Sequence, residues 1–101
     1  MNPEKKQGMI ISFKLKEGAS EADFLAASDE IQAQYLSKCK GYIHRQVMLI
    51  EGIWTDYVTW ETAADANIAM EQSEANAAAI KFTSFIGEVV EQNLYPLERV
   101  Y

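Results

Sequence analysis

The residues most able to do chemistry in this chain sit on one stretch, Arg45, Asp56 and Trp60, with His44 and Cys39 as the only other reactive side chains of their kind. An aspartate spaced two residues from Trp54 and Val58 falls on an otherwise apolar strand face, where a lone carboxylate is costly unless paired. Two readings stay open for Asp56. It is either half of a structural ion pair with Arg45, or a pocket acid able to move a proton. Trp60 offers a flat apolar surface for an aromatic molecule, and as a large residue ending a core strand it serves equally as packing. His44 has no neighbour at ligand spacing, so a metal site is not expected. Cys39 on a helix face reads as a small core residue. Tyr57, Tyr95, Asn67, Asn93 and Thr83 are pocket-lining candidates of lower weight. No glycine-rich phosphate loop or nucleophile elbow is present.

These residues need elements to hold them. Met9 to Lys16, MIISFKLK, alternates with Met9, Ile11, Phe13 and Leu15 on one face, which is a strand. Ser20 then caps a helix whose stripe of Phe24, Leu25, Ser28, Ile31, Tyr35, Leu36 and Cys39 is expected to run on to Lys38 and Lys40 and stop at Gly41. Tyr42 to Ile50 and Ile53 to Glu61 read as two strands around a Glu51-Gly52 turn. With a two-residue loop Ile50 pairs with Ile53. Ile43, Arg45, Val47 and Leu49 then share a face with Trp54, Asp56, Val58 and Trp60, while Tyr42, His44, Gln46 and Met48 join Thr55, Tyr57 and Thr59 on the other. A three-residue loop would turn every third-strand side chain over and put His44 on the side of Asp56. Trp54, beside the turn, is expected to be partly exposed or at a dimer contact.

Thr62 with Asp65 makes a capping pair ahead of the alanine-rich run Ala63 to Glu74, and Asn76 restarts a helix interrupted around Ser73 to Asn76. Ala78, Phe82, Phe85 and Ile86 give its apolar stripe. Val89 to Tyr101 holds the last strand, at an edge or bulged where Pro96 lacks a ladder donor. The order strand, helix, hairpin, helix, strand is the ferredoxin-like β-α-β-β-α-β arrangement, α+β, with helices covering one face of a four-stranded antiparallel sheet. The other face, carrying Tyr42, His44, Gln46, Met48 and Tyr57, is too apolar to stay wet, so a homodimer is expected.

The totals agree with one domain, a polar lead over residues 1–8 followed by 9–101. At 101 residues, with 49% hydrophobic and 24% charged residues, the chain can form one core. The net charge is −6, and the first 18 residues carry four lysines against two glutamates, +2, leaving −8 for the remainder. Nucleic acid is therefore not an expected partner. A single cysteine excludes an internal disulfide, and no run approaches a membrane span, so a cytoplasmic location is expected.

At GYIHRQVM (residues 41–48) and DYVTWETAADA (residues 56–66) the chain resembles the antibiotic biosynthesis monooxygenase family of the dimeric α/β-barrel superfamily. The likeness runs over nearly the whole chain in order and spacing, with Gly41-Tyr42 and Trp60-Glu61 its sharpest parts. The cofactor-free quinone-forming members use an Asn and a Trp four residues apart on the third strand and a Tyr six residues after the Trp. Here those positions read Asp56, Trp60 and Ala66. The haem-degrading members need an Asn, a Trp and a His where this chain has Phe13, Ala69 and Ala79, so the resemblance does not extend to haem degradation. What it implies is a monooxygenase or related enzyme needing no metal or tightly bound cofactor, acting on a small apolar or aromatic molecule. Asp56 and Trp60 would be its catalytic residues, and Arg45, Asn67 and Phe82 would contact the substrate. The alternative is a non-catalytic dimeric module of the same fold.

Overall fold

The computed structural model describes residues 4–101. Residues 1–3 of the expected polar lead lie outside the described residues, and its last two, Gln7 and Gly8, already belong to the first strand. The elements are β1 (Gln7–Leu15), α1 (Glu21–Gln34), β2 (Tyr42–Ile50), β3 (Ile53–Trp60), α2 (Ala63–Ser73), α3 (Ala77–Thr83) and β4 (Ile86–Pro96). The four strands form one antiparallel sheet in the order β2-β3-β1-β4, so the expected ferredoxin-like architecture is the observed one.

The local chemistry explains each start. Ser20 accepts from Asp23 N at 3.2 Å, Thr62 Oγ1 from Asp65 N at 3.0 Å, and Asn76 Oδ1 from Ala79 N at 3.0 Å, each satisfying a free N–H at a helix N-terminus. The predicted break between α2 and α3 is present. The hairpin has a two-residue loop, with Ile50 opposite Ile53 and both turn residues left-handed, Glu51 at φ 49° and Gly52 at φ 80°. That conformation matches the twist of the strands it joins. It also puts His44 on the face away from Asp56. Pro96 ends β4, an edge strand, as its missing donor requires.

Phe13, Phe24 and Trp60 are fully buried between sheet and helices. Phe24 takes Trp54 at 4.8 Å between ring centroids and Phe82 at 5.3 Å, so helix α1 is keyed to the sheet by aromatic edges and faces.

Five expectations change. Phe85 and Ile86, placed on the last helix stripe, lie beyond α3, which ends at Thr83, and β4 opens at Ile86, ahead of the expected Val89, because Ile86 pairs with Leu15. The first helix does not reach Gly41: it ends at Gln34, Tyr35 caps it at φ −133°, and a 3-10 turn over Leu36–Lys38 leads to Gly41. Leu25, placed on the buried stripe, is 44% exposed. Trp54 is buried at 5% exposure, because its ring packs inward on Phe24. Tyr42 leaves the outer face. The register slips between Tyr42 and His44, so Ile43 becomes an extra residue and Tyr42 lies opposite Trp60 on the helix-covered side. Its ring meets Trp60 edge-on at 6.2 Å, and its hydroxyl accepts from Gln32 Nε2 of α1 at 2.7 Å.

Candidate active site between sheet and helices

The register that sets Val47 opposite Asp56 and Arg45 opposite Val58 makes Arg45 and Asp56 diagonal neighbours on the covered face. They form a two-bonded ion pair, Arg45 Nε to Asp56 Oδ1 at 3.0 Å and Nη2 to Oδ2 at 2.9 Å. The side chains are 5% and 7% exposed. Arg45 also donates from Nη1 to Ser28 O at 3.1 Å and from Nη2 to Ser28 Oγ at 2.9 Å, while its Cζ lies 5.4 Å from the centre of the Phe82 ring. The guanidinium therefore ties β2 and β3 to α1 with most of its donors used, the condition under which a buried charge is tolerated.

A cavity of about 170 Å³ opens beside this pair, between β1, β3 and the three helices. Its walls are mainly apolar, with Met9, Ile11, Ile31, Val58 and Phe82, and Asp56 and Trp60 also line it. Trp60 is wholly buried, and its indole Nε1 has no hydrogen-bond partner. The cavity thus offers an apolar box with the Trp60 ring in its wall and a neutralised charge pair at one side. That suits a small flat, largely apolar molecule.

Asp56, Trp60 and Phe82 are brought together around the cavity, and Arg45 stands behind Asp56. Asn67 is not: it is exposed and lines a separate cleft with Met70, Gln92 and Asn93 at the β4 side. On the α2 side Ala69, Met70 and Ser73 line the cavity, and Ala66 is buried. Ser28 and Tyr35 were not singled out as site residues by sequence. Ser28 carried one signal, a hydroxyl on an apolar helix stripe. Tyr35 donates its hydroxyl to Ala69 O, closing α1 against α2 beside the cavity, and burial together with the neighbouring Cys39 pushes its phenol up to about 12. The Cys39 thiol is likewise raised by burial.

No family model matches this chain, and no curated protein matches it. Solved structures do. SnoaB from Streptomyces nogalater, a cofactor-independent oxygenase, superposes with a TM-score of 0.77 at 11% identity, covering 95% of this chain and 96% of that one. A candidate antibiotic biosynthesis monooxygenase from Nitrosomonas europaea gives 0.72 at 15% identity, covering 97% and 95%. A second candidate monooxygenase, from Bordetella bronchiseptica, gives 0.67 at 19% identity over 97% of this chain and all of that one. At such identities what is shared is the backbone, which hosts many chemistries. The chain thus has the ferredoxin-like α+β fold that these proteins share.

Proposed function

We propose that this chain is a cofactor-independent oxygenase of small aromatic molecules, binding one ring in the cavity between sheet and helices. The observation that carries this reading is the apolar cavity with the rings of Trp60 and Phe82 and the paired Asp56 in its wall. An apolar cavity of about 150 Å³ holds a benzene-sized ligand. The space here therefore suits one substituted ring better than a fused polycycle. Trp60 packs the ring, Phe82 forms a second wall, and Arg45 holds Asp56 as a fixed dipole beside it. Asn67 contributes from outside the cavity, at the cleft by β4. In the reaction an activated phenol is oxidised to a quinone: one atom of O₂ becomes the new carbonyl oxygen, the other leaves as water with the two displaced hydrogens. SnoaB, described as cofactor-independent, supports a reaction in which the substrate itself supplies the electrons.

The working unit in this proposal is a homodimer closed over the outer sheet face, where His44, Gln46 and Met48 are exposed and Tyr57 is half-buried. With Tyr42 turned inward that face is less aromatic than the sequence suggested, but Tyr95 on β4, opposite Gly8 and 45% exposed, adds apolar area. The lone cysteine supports a reducing, cytoplasmic setting.

The test is a panel of monocyclic phenols and quinones. A true ligand at 100 times its Kd stabilises the protein by about 2.7 kcal/mol, or roughly 10 °C and more for a domain this size. Binders are then followed for oxygen uptake. A second reading, a binding module without catalysis, is favoured by Asp56 having both oxygens occupied by Arg45. Binding without oxygen uptake would select it, and a flat thermal response across the panel would remove both readings of the cavity.

A further inference from the structure

A second open space, a groove of about 360 Å³, lies where the turn after α1 meets the start of α2. Its floor is apolar, with Tyr35, Cys39, Ile68 and Ala69, and three charged side chains line it: Asp65, Lys38 and Lys40. Asp65 is 8% exposed, and among the described residues its carboxylate has no hydrogen bond and no ion pair. It supplies its backbone N–H to the Thr62 cap but returns nothing from its side chain, so only half of a capping box forms. The carboxylate is instead held against Gly41, where a Cβ would come within 2.6 Å of Asp65 Cβ. Lys38 and Lys40 are exposed and form no ion pair with a described residue, although Lys40 directly precedes Gly41.

The Asp65 carboxylate lines the groove without a protein donor, so a ligand in the groove can supply one. Here opposite charges flank one groove without meeting each other, over an apolar floor. A ligand with an ammonium for Asp65, a carboxylate for Lys40 or Lys38, and an apolar tail over Ile68 and Ala69 satisfies every one of these groups at once.

We propose that this groove is a binding site for a free α-amino acid with an apolar side chain. The site does not depend on the oxygenase reading, since it faces away from the sheet cavity and shares only the wall formed by Tyr35 and Ala69. Its volume falls within the usual range for small-ligand sites, about 300–1,000 Å³.

The experiment is calorimetric titration of the full chain with L-leucine, up to about 10 mM, beside isopentylamine and 4-methylpentanoate, which lack its carboxylate and its ammonium. Saturable binding of leucine is expected, with each truncated analogue weaker by about tenfold or more. Asp65→Asn should cost at least about tenfold in leucine affinity, and the Lys38→Gln, Lys40→Gln double variant a similar factor. Should Asp65→Asn fail to fold, the lysine variant and the analogue series decide the matter, because neither touches the α2 cap. No saturable heat with leucine would overturn the proposal and leave Asp65 to a passing Lys40. Isopentylamine binding as tightly as leucine, or unchanged affinity in Asp65→Asn, would overturn it equally.

Discussion

Removing one partner of the Arg45–Asp56 pair should be the most damaging polar change available in this chain. Both side chains are below 10% exposure, and the pair is held by two bonds of 2.9 and 3.0 Å. Arg45→Met keeps an apolar stem against Phe82 but strands the Asp56 carboxylate, while Asp56→Asn keeps the shape and strands the guanidinium, whose remaining bonds go to Ser28. Breaking a buried pair from one side costs about 3–5 kcal/mol, whereas removing both charges is far milder. Each single variant should therefore lose about 3 kcal/mol, lowering Tm by roughly 12–24 °C in a domain of this length. The double variant should lose no more than either single one, giving a coupling energy of about 3 kcal/mol or more. Urea melts at a fixed protomer concentration measure all three, since self-association would otherwise shift the midpoint. Size-exclusion chromatography should find the oligomeric state of Asp56→Asn unchanged, because the residue faces the helices. Strict additivity, or single losses below about 1 kcal/mol, would mean that the pair is hydrated in solution and contributes no fixed dipole to the cavity.

Two glycines with nearly the same backbone angle should respond differently to alanine. Gly52→Ala, at φ 80° with open space around it, should cost about 1–2 kcal/mol from the left-handed conformation alone, and Gly41→Ala, at φ 83° against Asp65, distinctly more in the same melts. Equal losses would show that the Asp65 contact relaxes without cost. Thr62→Ala removes the cap on α2 and should cost about 1 kcal/mol, with the loss of helical signal confined to that element. Tyr35 gives a pH signature. Its folded-state value of about 12 lies above the ordinary 10.0, so the stability it contributes is full below pH 10 and is lost as pH rises through about 12. Ultraviolet titration should find one tyrosine ionising late, and Tyr35→Phe should remove that step and flatten stability over the same window. An unchanged titration in Tyr35→Phe would assign the late group to another tyrosine.

What could be read from the sequence was whatever depends on near neighbours. The facing of Asp56 and Arg45 follows from period-two alternation and a turn whose two residues must both be left-handed, and Glu51-Gly52 is a pair that meets the demand. Even so, the sequence left a three-residue loop open, and with it the side on which His44 lies. Tyr42 marks the limit. Nothing in GYIHRQVM announces an extra residue, because a bulge is selected by what the displaced side chain gains: the edge of Trp60 and the amide of Gln32, both distant along the chain. The early end of α1 has the same origin. Tyr35 fits the apolar stripe of a continuing helix, and it leaves helical geometry to place its hydroxyl on Ala69 O, in an element that begins 28 residues later at Ala63. The candidate site inherits both effects. Its charge pair was legible because two adjacent strands make it. The unsatisfied Trp60 N–H and the Ser28 anchor were not, because they exist only once α1 has been set down on the sheet by Phe24, and side-chain spacing along one strand carries no information about where that helix will lie.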